Sequence, residues 1–138
     1  MNTEGRAMVS LYRSLLSCCR GIDFAIGDLS GHAVFTFGPD YPGFEGHFPG
    51  APILPAVVQL AAVRYVTGAV LGQEVRPVVY KRVKFRSGVS PDEQVVVRVQ
   101  LQEEKKESWF VEFGIDKDNG EKIAGGEALF VSVEPRVD

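Results

Sequence analysis

The longest apolar stretch of the chain, PAVVQLAAVRYVTGAVLG, has the length and punctuation of an α-helix. Pro55 suits the first turn of a helix, and Gly72 suits its end. Nearly every position between them is apolar, so the helix predicted over 55–71 should be buried on most sides. A helix of this kind needs a sheet that wraps around it.

The second half of the chain has the strand patterns for such a sheet. Four strand-like runs follow the helix: VVYKRVKFRS, QVVVRVQLQE, ESWFVEFGID and KIAGGEALFVSV. In the third run, four apolar residues alternate with other residues and form one face: Trp109, Val111, Phe113 and Ile115. The links between the runs are short and turn-like, so the strands are predicted to pair antiparallel in sequence order.

The first third of the chain predicts a helix and a hairpin. Apolar residues recur with helical spacing over 7–19, and Gly21 would end that helix. IDFAIGDLSGHAVFTF then predicts two short strands around the turn GDLSG. We therefore predict one α+β domain over 1–138, with a helix within 1–20 and a curved antiparallel sheet around one long helix.

Composition and charge exclude several classes of function. The net charge of −3 gives no electrostatic support for nucleic-acid binding. No apolar run approaches the ~20 residues of a membrane-spanning helix, and the N-terminus lacks the order of a secretory signal. Cys18 and Cys19 are adjacent, which disfavours a bridge between them, and they are far in sequence from His32 and His47. We therefore expect reduced thiols, no metal site and a cytoplasmic protein.

The segment GHFPGAPILP, directly before the apolar helix, resembles the motif of the 3-hydroxyacyl-[acyl-carrier-protein] dehydratase family. The order of elements resembles that family's hot-dog fold. VKFRSGVSPDEQVVVRV resembles the strand, turn and strand that follow the family's helix, and the likeness covers roughly residues 21 to 134. The resemblance implies a hot-dog domain that forms a dimer, in which two sheets join and two central helices lie inside.

The resemblance also implies a chemistry for His47. In that chemistry the histidine removes a proton from C2 of a 3-hydroxyacyl thioester, and a helix carboxylate contributed across the dimer protonates the departing hydroxyl. The substrate arrives on the phosphopantetheine arm of acyl carrier protein, so no bound cofactor is implied, and its acyl chain lies in an apolar tunnel. The implied substrate-binding residues are Phe48, Gly50, Pro55, Ala56, Val57, Gln59, Ala61 and Arg64.

The residue types fit this chemistry on physical grounds. A histidine has an unperturbed pKa of ~6.5, which suits a group that takes and returns a proton near neutrality. The prolines of the motif restrict the backbone around His47. Unpaired N–H groups at Ala56, Val57 and Val58 would stabilise a carbonyl that develops negative charge. The alternative is a structural histidine in a rigid loop.

The chain departs from the family at the acid. The family's Glu or Asp lies fourteen residues after the histidine, and that position is Ala61 here. The family's glycine after the last proline of the motif is Ala56, and its glutamine four residues beyond the acid is Tyr65. Because alanine donates no proton, the family's two-residue mechanism is incomplete in this chain.

Three explanations remain open for the missing acid. In the first, another group supplies the proton: Tyr65 and Arg64 share the helix face of Ala61, while Gln59 points about 160° away. In the second, a complete dehydratase subunit pairs with this chain and contributes its acid. In the third, the chain hydrolyses acyl thioesters with His47 and water, or only binds them.

The run YKRVKFR is a candidate surface for docking acyl carrier protein. It contains Lys81, Arg82, Lys84 and Arg86, and period-two alternation predicts that the last three share one strand face. Such a face would attract an acidic carrier protein or the phosphate of its arm. A solvated strand face with no partner explains the same pattern equally well.

Overall fold

The structure is a computed structural model that describes residues 14–24, 27–44 and 53–133. Residues 14–18 are helical and are called α1 here. The strands and the long helix follow in this order: β1 (Cys19–Phe24), β2 (Ser30–Thr36), α2 (Ala56–Leu71), β3 (Val75–Phe85), β4 (Gln94–Lys105), β5 (Ser108–Lys117) and β6 (Lys122–Ser132). A short 3-10 turn, Pro42–Phe44, lies between β2 and α2.

The six strands form one antiparallel sheet in the order β1-β2-β4-β5-β6-β3. Helix α2 packs against this sheet, so the predicted α+β class is confirmed. The predicted alternation in β5 is also confirmed, because Trp109, Val111, Phe113 and Ile115 are all buried. Their side chains belong to one core that also includes the buried face of α2.

The predicted pairing in sequence order is wrong for β3. This strand lies at the edge beside β6, and β4 pairs with β2 instead. The link over 86–93 does not join β3 and β4 as a hairpin, because its residues are hydrogen-bonded to other segments of the chain. Val89 is fully buried and accepts a hydrogen bond from Leu54 N–H at 2.8 Å. The Asp92 N–H donates to Phe37 O at 2.7 Å, so the link crosses to the β2 side of the sheet.

The N-terminal helix ends earlier than the sequence predicts. Its described part stops at residue 18, and Cys19 already belongs to β1. Gly21 lies within β1 opposite Val34 and does not end the helix. Pairing with β2 therefore overrides the helical spacing of the last residues of the prediction. Residues 1–13, where the rest of that prediction falls, are outside the described residues.

Helix α2 begins and ends where its flanking residues predict. Pro55 is its N-cap residue, and Gly72 ends it with φ 68°, in the left-handed region that glycine adopts most readily. The helix is not buried on most sides, however. One face is buried in this single chain, whereas Val57 is 46% exposed and most of the other face is half-buried. The buried residues are Val58, Gln59, Ala62, Val63, Val66 and Thr67.

The end of α2 approaches β2 closely at Gly31. A Cβ atom at this position would lie 2.6 Å from Val70 Cγ2 and 3.0 Å from Phe24 Cβ. We therefore expect Gly31→Ala to lower the free energy of unfolding by about 1–3 kcal/mol, the usual cost of overpacking. Urea unfolding measures the change, with Gly21→Ala as the control, since a Cβ at Gly21 meets nothing within 4 Å. Equal losses in the two variants would contradict the close approach.

Candidate functional site

The N-terminus of α2 is open. Its N-cap residue, Pro55, makes no side-chain capping bond, and the first turn has no acidic residue. The N–H groups of Val58 and Gln59 donate to Pro55 O at 3.1 and 3.3 Å. Within the described chain, the N–H groups of Ala56 and Val57 have no backbone partner. The sequence predicted three unpaired donors at the helix start, and the structure has two, because Val58 is occupied.

The motif that precedes this helix start is only partly described. His47, Phe48 and Gly50 lie in the range 45–52, outside the described residues. The described end of the motif is anchored to the rest of the fold, because Leu54 is buried and its N–H is bonded to Val89 O in the β3–β4 link. The last residues of the motif therefore lead directly into the two open N–H groups of α2.

The position of the family acid lies on the half-exposed face of α2. Ala61 is half-buried there, and it follows Val57 by one turn and precedes Arg64 by one turn. The sequence of α2 contains no Asp or Glu, so this helix contributes no carboxylate of its own. Arg64 ties the helix to the sheet, since its Nε donates to Val75 O at 2.7 Å. This contact gives Arg64 a structural role beside any role toward a ligand.

Tyr65 packs against an aromatic cluster on β2. Its ring meets Phe35 edge to face at a centroid distance of 6.2 Å, and Phe35 stacks on Phe37 at 5.9 Å. Burial, with a smaller contribution from Cys19, raises the pKa of the Tyr65 hydroxyl above its usual value. A higher pKa makes the phenol a poorer proton donor, so its predicted role as the acid becomes less favourable.

One substitution decides whether the Tyr65 hydroxyl takes part in dehydration. We expect Tyr65→Phe to change the rate by no more than about twofold, because the packing against Phe35 persists and the raised pKa disfavours proton release. Steady-state assays with a 3-hydroxyacyl carrier thioester provide the measurement, in the presence of a complete dehydratase subunit whose own histidine is replaced by alanine. A sharp fall in rate with an unchanged melting temperature would instead identify Tyr65 as the proton donor.

Sequence reasoning did not single out Tyr41, a second tyrosine beside this cluster. Its ring packs edge to face on Phe37 at 5.0 Å and on Phe44 at 6.1 Å. Burial raises the pKa of Tyr41 to about 12, so its phenol stays protonated near neutrality. The segment GPDYPGF offers no chemical signature for this residue, which only the fold brings beside the other aromatic rings.

Gln59 is the most unusual polar residue of α2. Its side chain is buried, with 5% exposure, and its Nε2 donates to Leu54 O at 3.5 Å. Its Oε1 has no hydrogen-bond partner within the part of the chain that the structure describes. Buried amide oxygens are nearly always bonded, so this one calls for a donor.

The predicted basic strand face is wrong in its geometry. A bulge interrupts β3 between Lys81 and Lys84, where Arg82 adopts φ 54°. The extra residue shifts the alternation, so Lys81 and Lys84 face β6 residues two apart, Glu127 and Gly125, and share a face. Arg86 lies beyond the end of β3, and Arg82 pairs with Glu127 at 3.0 Å. All four basic residues are exposed.

Neither a membrane-spanning helix nor a metal cluster is found in the described ranges. No helix among residues 14–24, 27–44 and 53–133 is long and apolar enough to cross a bilayer. Over the same ranges, no group of three or more His, Cys, Asp or Glu side chains is placed to hold a metal ion.

The sequence and the fold both match known dehydratases. The ApeI-like family, described as ApeI dehydratase, matches residues 28–127. The 3-hydroxyacyl-[acyl-carrier-protein] dehydratase FabZ of Shewanella oneidensis is 31% identical over 121 residues, which is 80% of this chain and 77% of that protein. A chain of the dehydratase heterocomplex ApeI:P of Xenorhabdus doucetiae superposes with a TM-score of 0.67 at 20% identity, covering 82% of this chain and 96% of that one.

The fold extends beyond dehydratases. A hypothetical thioesterase of Streptococcus pneumoniae with coenzyme A superposes with a TM-score of 0.66 at 7% identity, covering 94% of this chain and 99% of that chain. One antiparallel sheet around a long helix, shared with these structures, defines a hot-dog protein. The chain belongs to the ApeI-like family of hot-dog dehydratases, as a divergent relative of FabZ with alanine at the acid position.

Proposed function

We propose that the chain acts on 3-hydroxyacyl thioesters carried by acyl carrier protein, with His47 as the general base that removes the C2 proton. The observation that carries this proposal is the open start of α2, which directly follows the segment GHFPGAPILP, in a member of a dehydratase family. A thioester carbonyl gains negative charge when C2 loses a proton, and two N–H donors at the positive end of a helix stabilise that charge.

The proposed reaction needs no resident cofactor. The substrate brings its own phosphopantetheine arm, and the chain contributes a base and the N–H groups of Ala56 and Val57. His47 takes the C2 proton, and the electron pair of the C2–H bond moves into the thioester carbonyl to give an enolate. When that pair returns to form the C2–C3 double bond, the C3–O bond breaks, and a second group protonates the departing hydroxyl, which leaves as water.

That second group is proposed to come from a related subunit. Ala61 donates no proton, and α2 has no carboxylate. The face around Ala61 is half-exposed in the single chain, which fits a partner helix. The edge strand β3 exposes apolar side chains as well, namely Val78 at 53%, Val79 at 37% and Phe85 at 45%. The ApeI:P structure is a heterocomplex, and an analogous pairing would complete this site.

The carrier protein is proposed to dock on the basic end of β3. Lys81 and Lys84 are exposed on one face there, and Arg86 follows the strand. The salt bridge to Glu127 reduces the contribution of Arg82. Attraction between this surface and an acidic carrier would be screened by salt, since these side chains are in contact with solvent.

We further propose a cytoplasmic location. Cys18 is buried and Cys19 is half-buried, and both are free thiols. Free thiols are typical of a reducing compartment, where acyl carrier substrates of this kind would be met.

Thioester hydrolysis is the second candidate function. The absence of an acid at Ala61 favours it, because hydrolysis needs a base and a water molecule but no protonated hydroxyl leaving group. A hypothetical thioesterase with coenzyme A shares the fold, although the fold alone does not choose between reactions.

Product analysis separates the candidates. The purified chain is incubated with a 3-hydroxyacyl carrier thioester, alone and with a FabZ-type subunit whose own catalytic histidine is replaced by alanine, and the acyl products are resolved by mass spectrometry. The proposal predicts 2-enoyl thioester in the mixture and little or none from the chain alone. Free 3-hydroxy acid would instead support hydrolysis, and unchanged substrate under both conditions would reject both activities.

A further inference from the structure

Gln59 carries an inference about substrate selection. The side chains of an α-helix lean toward its N-terminus, and Gln59 lies in the first full turn of α2. The bond from its Nε2 to Leu54 O confirms this direction, since Leu54 directly precedes the N-cap residue. The amide therefore lies beside the helix start, where the two open N–H groups of Ala56 and Val57 are found.

The orientation of the amide leaves an acceptor unsatisfied. With Nε2 bonded to Leu54 O, Oε1 is the free atom, and turning the amide over would place two carbonyl oxygens against each other. Only 5% of the residue is exposed, so solvent water does not readily donate a hydrogen bond to this oxygen. A buried acceptor without a donor destabilises the protein, and a ligand with a suitable O–H or N–H group would remove that cost.

We propose that Gln59 Oε1 accepts a hydrogen bond from the bound thioester and thereby selects substrates that carry a donor. This inference rests on the function proposed above. The donor that fits best is the 3-hydroxyl of a 3-hydroxyacyl group, because that hydroxyl lies two carbons from the carbonyl held by the helix start. An amide N–H of the pantetheine arm is the other source of the same chemistry.

Gln59 is thus a positioning residue and not an acid or a base. Its neutral amide exchanges no proton with the substrate. A site that offers a buried acceptor binds a hydroxylated substrate better than its saturated analogue, since the analogue leaves the acceptor unpaired. The chain would then discriminate between 3-hydroxyacyl and saturated acyl groups of equal length.

The test compares two ligands in a background that blocks turnover. Dissociation constants are measured on the full chain carrying His47→Ala, for 3-hydroxyacyl and saturated acyl pantetheine thioesters of the same length. Adding Gln59→Met, which removes the acceptor at similar volume, should weaken binding of the 3-hydroxyacyl thioester roughly fivefold to tenfold, the effect of one hydrogen bond. Binding of the saturated thioester should not change.

Thr67 provides a matched control on the same helix face. Its hydroxyl is equally buried but is satisfied by Val63 O at 2.8 Å, so Thr67→Val should leave both dissociation constants unchanged. Gln59→Leu, which also lacks the acceptor and buries no charge, provides a second variant if the methionine variant folds poorly. Thermal unfolding monitors each protein.

The outcomes separate this inference from the proposed function. Equal weakening of both ligands by Gln59→Met would assign the pantetheine N–H as the donor and still support a ligand contact. Unchanged affinities for both ligands would overturn the inference, because the acceptor would then serve an internal water only, while the proposed function would stand. If the parent protein binds neither thioester, the proposed function fails and the inference fails with it.

Discussion

Replacing His47 by alanine is expected to abolish turnover of 3-hydroxyacyl carrier thioesters while leaving the fold intact. General-base catalysis contributes roughly a hundredfold to ten-thousandfold to a rate. Loss of the imidazole should reduce the reaction by that order, when it is measured with a FabZ-type subunit that contributes its acid but has its own catalytic histidine replaced by alanine. The motif HFPG precedes an open helix start, and no other histidine lies near it in sequence. Initial rates of 2-enoyl formation provide the measurement.

The chain offers a matched control for this substitution. His32 is the only other histidine, and it is exposed on β2. In the strand register its backbone lies opposite Asp23 of β1 and Arg98 of β4. We expect His32→Ala to keep the full rate. A His47→Ala protein with undiminished activity and an unchanged melting temperature would remove His47 from the mechanism.

Restoring the family acid with Ala61→Glu is expected to give the chain dehydratase activity of its own. Ala61 is half-buried on the less buried face of α2, where it packs against the core but stays partly exposed, so a longer side chain can extend toward the exposed side. A correctly placed general acid contributes about a hundredfold or more. We therefore expect a gain on the order of a hundredfold in 2-enoyl formation without a FabZ-type subunit, when two copies of the variant pair and each contributes its acid across the dimer.

Ala61→Gln is the sharpest control, because it adds the same bulk and polarity but no proton donor of suitable pKa. Ala69→Glu adds a carboxylate two turns farther along α2, away from the helix start, and should also leave the rate low. If Ala61→Glu and Ala61→Gln behave alike, proton donation at this position does not limit the reaction. The account of the missing acid would then be wrong.

The sequence predicts the secondary structure most accurately where local signals alone determine it. Pro55 and Gly72 mark the ends of α2 to within one residue, because proline and glycine determine local backbone geometry. The buried face of β5 follows from the alternation that begins at Trp109, since every second side chain of a strand points to the same side.

Strand pairing between distant parts of the sequence cannot be predicted from such local signals. Nothing in the residues of β3 indicates that it pairs with β6, since this depends on a link whose Val89 is buried against Leu54. The bulge at Arg82 is equally hidden, because a positive φ at an arginine has no composition signal. Both features decide which basic side chains share a face, so the predicted grouping of Arg82 with Lys84 and Arg86 on one strand face is wrong.

In the candidate site, too, some features follow from the local sequence and others depend on the folded chain. The motif identifies the family and the position of Ala61, but it does not reveal that Val58 N–H is already bonded. Gln59 is among the predicted substrate-binding residues, but the sequence does not indicate which of its atoms binds, whereas burial and an Oε1 without a partner in the described chain single out one acceptor. The raised pKa of Tyr65 depends on Phe35 and the surrounding core, which are close to it only in the folded chain.

The central claim is that this chain retains the base of a dehydratase but lacks the acid. Deuterium incorporation at C2 tests it most directly, when the chain alone is incubated with a 3-hydroxyacyl carrier thioester in heavy water. The account predicts that recovered substrate carries deuterium at C2 with little 2-enoyl product, and that His47→Ala removes the exchange. Recovered substrate without deuterium, or exchange that persists in His47→Ala, would contradict the account.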